Sequence, residues 1–575
     1  MLYFLTVWTG LLWICLTVGC GLLHGLKIDK IQQSSDRIIL SVWLGLGAIA
    51  ILLLATAIFI PLSPLTGISL SLLTTSLALK SKAVRHELVS WWYQMSVWSG
   101  IVYAISSGTI AAFITQKVTW IDTGLYHYGL VQWFASYGVL PGLALLNPQF
   151  GFISAWFAIA APLNLTSLAG SASTAMNGFI LLLTLLQILI LFRKVSINLR
   201  RNRQTQTSKW FLLVFSLSCF LLITQTPLLR TIAISASPDI AATLFSMMAT
   251  WTILLAETTV RSHQRPTTPG LDLASIILAA SAFSIKLTAL PLLLATIGFY
   301  LSKAVSLKRT IAAIALLFTT LLPFLTAQIL ASGYPLYPST VGGLSLPWTR
   351  SAQAANRLAQ ATHGWGNWFR NPPPEVFRPA WLIQMWFNSN HSSKLMVFLI
   401  VLSIISGIVL AIRLKTKPNH SIFWLLVLAV LGITFTMLKA PLFRFGLAYF
   451  LLLPVLSTAL ICHRLVWQAK INLKPLNGTA IALGLLTALT LTEVSYSNLA
   501  NHLFLAPPLP SVISQPQKMN GITYIVTQNS RSQCWSAPLP CVYYLRPEIS
   551  LRNPEIGIKG GFISDEAASE QSASK

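Results

Sequence analysis

Apolar runs of about 17 to 25 residues, long enough to cross a hydrocarbon core of roughly 30 Å as helices, recur along almost the whole chain. They fall at 2–24, 38–60, 64–79, 97–115, 151–169, 175–192, 210–226, 238–256, 271–285, 287–301, 310–331, 394–413, 421–437, 445–463 and 476–494. Lipid offers backbone amides no partner, so such runs must be helical. The pattern predicts an all-α polytopic integral membrane protein with about 13 to 15 transmembrane helices. The stretch 271–301 is too long for one untilted span at 1.5 Å per residue, and it holds Lys286 near its middle and Pro291. It is expected to be a hairpin of two short, broken helices with Lys286 near the outer surface. The first run lacks a basic leader and a small-residue cleavage site, so it reads as a retained span.

Composition agrees. Of 575 residues, 54% are hydrophobic and only 9% charged, against roughly 25% charged in an ordinary globular protein. The balance of 39 Lys plus Arg against 14 Asp plus Glu gives +25, and basic cytoplasmic loops account for most of that excess without any nucleic-acid partner. The basic clusters are Lys27 to Arg37, Lys80 to Arg85, Arg193 to Lys209, Arg261 to Arg265, Lys303 to Arg309, Arg413 to Lys417 and Arg464 to Lys474. Placing all of them in the cytoplasm turns 120–138, 228–239, the loop 332–393, 439–445 and everything after Tyr496 outward. Two apolar runs then separate Asp122 from the Arg193 cluster where an odd number of crossings is required. The expectation is that 151–169, with Pro162 and Asn164, is re-entrant or interfacial, which leaves fourteen crossings with both termini outside; the alternative is a basic cluster that breaks the rule.

Three regions follow: a multi-pass domain over 1–496, a small extracytoplasmic α/β or irregular domain over 497–563, and a disordered tail over 564–575. The multi-pass region includes an outer juxtamembrane helix at 123–146 and the loop 332–393. That loop carries GYPLYPS, HGWGNWFR and NPPPEVFRPAW, which suits an ordered cap with short helices better than a linker. In the last folded region ITYIVT alternates like a strand. Cys534 and Cys541 are expected to form a disulfide in an oxidising compartment, while Cys15, Cys20, Cys219 and Cys462 fall within or near spans as small apolar residues. No Walker loop, HExxH, GxSxG or zinc spacing is present.

The scarcity of acids narrows the chemistry. Apart from Glu548, Glu555, Asp565, Glu566 and Glu570 after Tyr496, only Asp122, Asp239, Glu375 and Glu493 fall on or near the expected outer membrane face. After Asp122, the residues Tyr126, Leu130, Trp133, Phe134 and Tyr137 form one helical stripe, with Tyr128, Gln132 and Ser136 on another face. This predicts an amphipathic helix in the interface, which Asp122 either serves as an N-cap or precedes as a catalytic acid. Asp239, in SPDIAAT, has the same two readings. Lys286 inside an apolar run marks a functional site unless it snorkels to headgroups. Arg444, in KAPLFRFG, suits phosphate or a lipid headgroup. His127 is a weaker candidate, more often a packed residue. The set suggests an outward cavity for a lipid-anchored, phosphate-linked substrate.

The early outer Asp followed by YH, the second Asp at the outer end of a later span and the large late outer loop together resemble the GT-C superfamily of membrane glycosyltransferases. More closely, DTGLYHYGLVQWFASYGVLPGLALL, SPDIAAT, SIKLTALP, SGYPLYPST, APLFRFG and CWSAPLPCVYYLR look like an uncharacterised bacterial multi-pass membrane family. The GT-C resemblance implies transfer of a sugar from a polyprenyl-phosphate donor to a cell-envelope glycan, lipid or protein acceptor at the outer face of the bacterial plasma (inner) membrane. It implies Asp122 and Asp239 as catalytic acids, or as ligands of a divalent Mg or Mn. Tyr126, His127, Lys286 and Arg444 would then bind substrate. The alternatives are a transporter or flippase of lipid-linked glycans, or a non-catalytic envelope assembly protein.

Overall fold

A computed structural model of the protein describes residues 1–28, 31, 33–201, 204–261, 270–303, 306–365, 390–468, 475–528 and 532–564. Among them ten helices are long and apolar enough to cross a membrane, and Pro64–Leu79, Gly270–Ile285, Leu287–Lys303 and Gly478–Leu491 are shorter apolar helices. Together these account for every predicted run except 151–169. That run contains a helix of six residues, Ala155–Ala160, followed by two 3-10 turns. Six residues rise only about 9 Å, so the segment enters the protein without crossing it. Its Trp156 and Phe157 are nonetheless fully buried.

The spans divide into an interior and a girdle. Asp239–Glu257 is buried throughout, and Ser34–Ala57 is nearly so. Leu307–Ser332 instead leaves Leu307, Ile311, Ile314, Phe318 and Leu322 exposed in one stripe, as His391–Thr416 does with Phe398, Val401, Ile405, Ile408 and Ile412. Continuous apolar faces of this length fit lipid, not water. The first two helices, Leu2–Gly25 and Ser34–Ala57, touch backbone to backbone: a Cβ on Gly19 would strike the carbonyl of Ser41, and one on Gly45 that of Cys15. Small residues at such contacts allow the close approach on which helix association in lipid depends.

Opposite helix ends carry different charge. At one end Arg37 pairs with Glu87, Lys209 lies 3.5 Å from Asp36, and Asp272 holds Lys303 at 2.7 Å and Arg309 at 3.4 Å. The Asp272–Lys303 pair joins the start of Gly270–Ile285 to the end of Leu290–Lys303, so 270–303 is a hairpin with Lys286 at its tip, as the sequence predicts. The other end is the cap end, where the last folded region sits.

That region has a sheet in the order β1 (Ser514–Met519), β2 (Ile522–Thr527), β3 (Cys541–Val542), with β1 and β2 antiparallel and β2 and β3 parallel. A second, two-stranded sheet pairs β4 (Ile549–Leu551) with β5 (Phe562–Ser564). Cys534 and Cys541 are disulfide-bonded. Ser564, expected to begin the disordered tail, is instead the buried last residue of β5; 565–575 lie outside the described residues. The region is not set apart: Tyr524, Trp535, Val542, Ile549 and Phe562 belong to the same core as the spans. Of the loop 332–393, the described part contains the helix Ala352–Trp365, while 366–389, with Glu375, lie outside the described residues.

The juxtamembrane helix differs from expectation. It is a π turn, Thr123–His127, running into a helix Tyr128–Ser136, and it stops there instead of continuing to 146. Residues 128–134 are buried on every face, Tyr128 and Gln132 included. Tyr128 and Gln132 of the polar stripe therefore meet protein, Gln132 donating to the carbonyl of Ala537 at 3.5 Å, while Ser136 stays exposed.

Candidate functional site

Asp122, Asp239, Lys286 and Arg444, distant in sequence, meet at the cap end. Asp122 precedes the π turn and makes no side-chain cap hydrogen bond; its Oδ2 accepts from Arg444 Nη1 at 2.9 Å. The capping account of Asp122 is thereby replaced by an ion pair. Asp239 opens the buried helix Asp239–Arg261, and its side chain is only 2% exposed. Lys286 donates to its Oδ1. Arg444 Nη1 stands 3.4 Å from its Oδ2, within ion-pair range but outside hydrogen-bond alignment, since that oxygen has no hydrogen-bond partner. Arg444 thus bridges the two acids. Two carboxylates and two cations leave the cluster electrically balanced.

The cations are also stacked. Lys286 Nζ lies 3.8 Å from the Phe445 ring centre, and the Arg444 guanidinium lies 4.7 Å from both Trp120 and Phe445. Such contacts strengthen where water is excluded. Lys286 occupies an extended break between two helices, and each side of the break is tied down: Ser154 donates to the carbonyl of Ile285 at 2.7 Å, and Tyr449 to that of Thr288 at 2.8 Å. The segment that does not cross therefore has a use, because it anchors the lysine.

The π turn is braced as well. Its Gly124 carbonyl accepts from the N–H groups of Cys534 at 2.8 Å and Trp535 at 3.2 Å, and its Leu125 carbonyl accepts from Asn147 Nδ2 at 3.0 Å. The Trp535 ring lies so close over Gly124 that a Cβ there would sit 2.5 Å from it. Single π turns recur at functional sites, and this one presents Asp122 to a cavity.

That cavity, about 150 Å³, is lined by Asp122, Tyr126, Lys286, Arg444, Gln328 and Tyr337 among others. Pockets for drug-sized ligands run roughly 300–1,000 Å³, so this one is smaller than a drug-sized ligand needs. Tyr126 is held protonated, its pKa raised well above the usual value by burial and then by the charges of Asp122 and Asp239. His127 does not line the cavity. It is buried against Tyr126 and Phe157, its Nδ1 lacks a partner, and burial lowers its pKa to about 4, so it is a neutral packing residue. Glu493, the remaining described acid of the expected outer set, is paired with Arg230 away from this cluster. Cys20, His24 and Glu87 also lie close together, but at the opposite end, where Glu87 is bound through both oxygens by Arg37.

The residues missed by sequence reasoning are Trp120, Phe445, Gln328 and Tyr337. Gln328 had a usable signal, since it is a polar side chain inside an apolar run, as Lys286 is. It is buried with its Oε1 unpartnered.

The sequence matches a described family over residues 1–451. The chain belongs to the family "Domain of unknown function (DUF8201)". All four members of the charged cluster fall inside the matched part of this DUF8201 protein, whereas Cys534 and Trp535 fall beyond it. No curated protein matches the sequence significantly.

Proposed function

We propose that the protein is a membrane glycosyltransferase of GT-C-like layout, moving a sugar from a polyprenyl-phosphate donor to a cell-envelope glycan, lipid or protein acceptor. The observation that carries this reading is the ion-paired cluster of Asp122, Asp239, Lys286 and Arg444 at the cap end, three members of which, Asp122, Lys286 and Arg444, line one cavity. In this reading the cap end faces outward from the plasma membrane, opposite the basic loops. Lys286 and Arg444 receive the donor phosphate. As Arg444 turns to the phosphate, Asp122 is released to take the proton of the acceptor hydroxyl. The acceptor oxygen then bonds to the anomeric carbon, and the bond from that carbon to the phosphate oxygen breaks. Polyprenyl phosphate departs with the electron pair, its charge met by the two cations. Asp239 holds both cations in place. Because Lys286 and Arg444 already match the two carboxylates, no step is routed through a divalent metal.

A transporter or flippase would place its ionisable groups near mid-span. Here Asp239 begins its helix, Lys286 lies in a break and Arg444 is the second residue of Phe443–Gln468, which favours transfer.

The test is transfer from labelled polyprenyl-phosphate sugars to envelope extracts by the purified protein. Loss of a general base costs roughly 10²–10⁴-fold, so Asp122→Asn should transfer at least a hundredfold more slowly while folding normally. An idle wild type, or a variant as fast as it, sinks the proposal.

A further inference from the structure

A second cavity, about 290 Å³, lies between the loop after Ser332 and the last folded region, lined by Arg350, Arg357, Arg546, Tyr544 and Glu548 among others. Its arginines come from separate stretches. Arg350 is 7% exposed and firmly placed: its N–H donates to Ser332, its carbonyl accepts from Tyr334 Oη at 2.7 Å, and its Nη1 donates to the carbonyl of Ala144 at 2.8 Å. Its Nε has no partner. Arg546 donates to the Tyr544 hydroxyl and likewise leaves a buried Nε unpartnered. None of the three pairs with a carboxylate among the described residues. Buried guanidinium donors left unmade are costly, and a guanidinium fork matches an oxyanion.

We propose that this pocket binds a phosphomonoester group. Three arginines against Glu548 leave a charge of about +2, and a phosphomonoester carries roughly −1.5 to −2 at neutral pH; a carboxylate, at −1, would leave the pocket cationic. Tyr337 links the two cavities. It lines the Asp122 cavity, its hydroxyl is buried without a partner, and its ring stacks 6.3 Å from that of Tyr334, whose hydroxyl donates to the carbonyl of Arg350. The second pocket therefore sits beside the first, where a phosphorylated partner substrate would be held. The binding claim stands without the transfer reading.

Calorimetric titration of the full chain in detergent micelles tests it. The probes are glucose 1-phosphate for a soluble ligand, dihexanoyl phosphatidic acid for a lipid headgroup, and glucose and glucuronate as controls. Arg546→Gln and Arg357→Gln should weaken phosphomonoester binding at least tenfold, while Lys82→Gln, an exposed change at the opposite end, leaves it unchanged. Binding of glucose 1-phosphate assigns a soluble source, and binding of the lipid alone assigns a headgroup; either supports the site. No binding, equal binding of glucuronate, or binding unaffected by both arginine variants overturns it. A chain ending at Ser564 is the last arm, because Asp565, Glu566 and Glu570 follow that lining residue in sequence. If only the shortened chain binds, the pocket serves the protein's own acids and the proposal fails. Failure here leaves the Asp122→Asn transfer result intact, so the two claims fall separately.

Discussion

Replacing Asp239 with Asn removes the charge that holds both cations of the cluster. The side chain is 2% exposed, accepts from Lys286 and stands 3.4 Å from Arg444. Breaking a buried ion pair by removing one partner costs about 3–5 kcal/mol, because the other charge is left uncompensated. Here Arg444 keeps Asp122 at 2.9 Å, so the stranded charge is Lys286 alone, and about 3 kcal/mol is expected. Removing Lys286 as well takes away the stranded charge. Lys286→Met combined with Asp239→Asn should therefore be less damaging than the sum of the two single changes, with a coupling energy of about 2 kcal/mol. Equilibrium unfolding in mixed detergent and SDS micelles, followed by tryptophan fluorescence, measures all four corners of the cycle. Additivity within about 0.5 kcal/mol would refute the claim that these two groups form one electrostatic unit. Asp122 provides the contrast. Its side chain is 20% exposed, and its loss leaves Arg444 still facing Asp239 at 3.4 Å, so Asp122→Asn should destabilise less than Asp239→Asn while slowing transfer at least a hundredfold.

Other outcomes follow from the same geometry. Gly124→Ala drives a methyl into the Trp535 ring, and overpacking of this kind costs about 1–3 kcal/mol; limited proteolysis should release the region after 497 sooner, and unchanged resistance would argue against the brace. His127 binds its proton less tightly when folded, about 4 against 6.5. Since the unfolded chain then holds more protons between those values, stability should be full above pH 6.5 and fall by about 3 kcal/mol as pH drops toward 4. His127→Phe should flatten that slope, and parallel wild-type and variant curves would show that the burial argument is wrong. For sidedness, a cysteine at Thr123 is a poor reporter because Thr123 is fully buried, whereas Ile121 is 56% exposed. Ile121→Cys should react with an impermeant maleimide from outside the cell and Lys82→Cys only after permeabilisation; the reverse pattern would turn the site toward the cytoplasm.

The apolar helices were legible because lipid imposes a single rule, a continuous apolar run, and Pro162 and Asn164 marked 151–169, the one predicted run that forms no long apolar helix among the described residues. Charges were legible for the same reason: in so apolar a chain Lys286 and Arg444 stand out, and only a few acids are free to meet them. What hydropathy does not carry is enclosure. Tyr128 and Gln132 read as part of a polar stripe that implies water, yet both are buried, and for Gln132 the covering comes from the chain beyond residue 497, a contact across some four hundred positions. The role of Asp122 was undecidable locally for the same reason, since a cap and an ion pair begin from the same acid and differ only in whether an arginine from a distant helix arrives.

The brace on Gly124 gives this long-range dependence a chemical consequence. A π turn releases carbonyls from the ordinary helical ladder, and a buried carbonyl without a donor is costly. Here the donors for Gly124 are backbone N–H groups beside the Cys534–Cys541 disulfide, outside the family match that contains all four charges. The position of the acid thus depends on a region that contributes no charge to it. Reduction of that disulfide should therefore loosen the segment between Cys534 and Cys541 and affect transfer through Asp122 before it affects the membrane spans, none of which it cross-links. A loss of activity that tracks thiol exposure at Cys534, while the helical circular dichroism stays constant, is the expected sequence of events; simultaneous loss of both would place the disulfide in global stability instead.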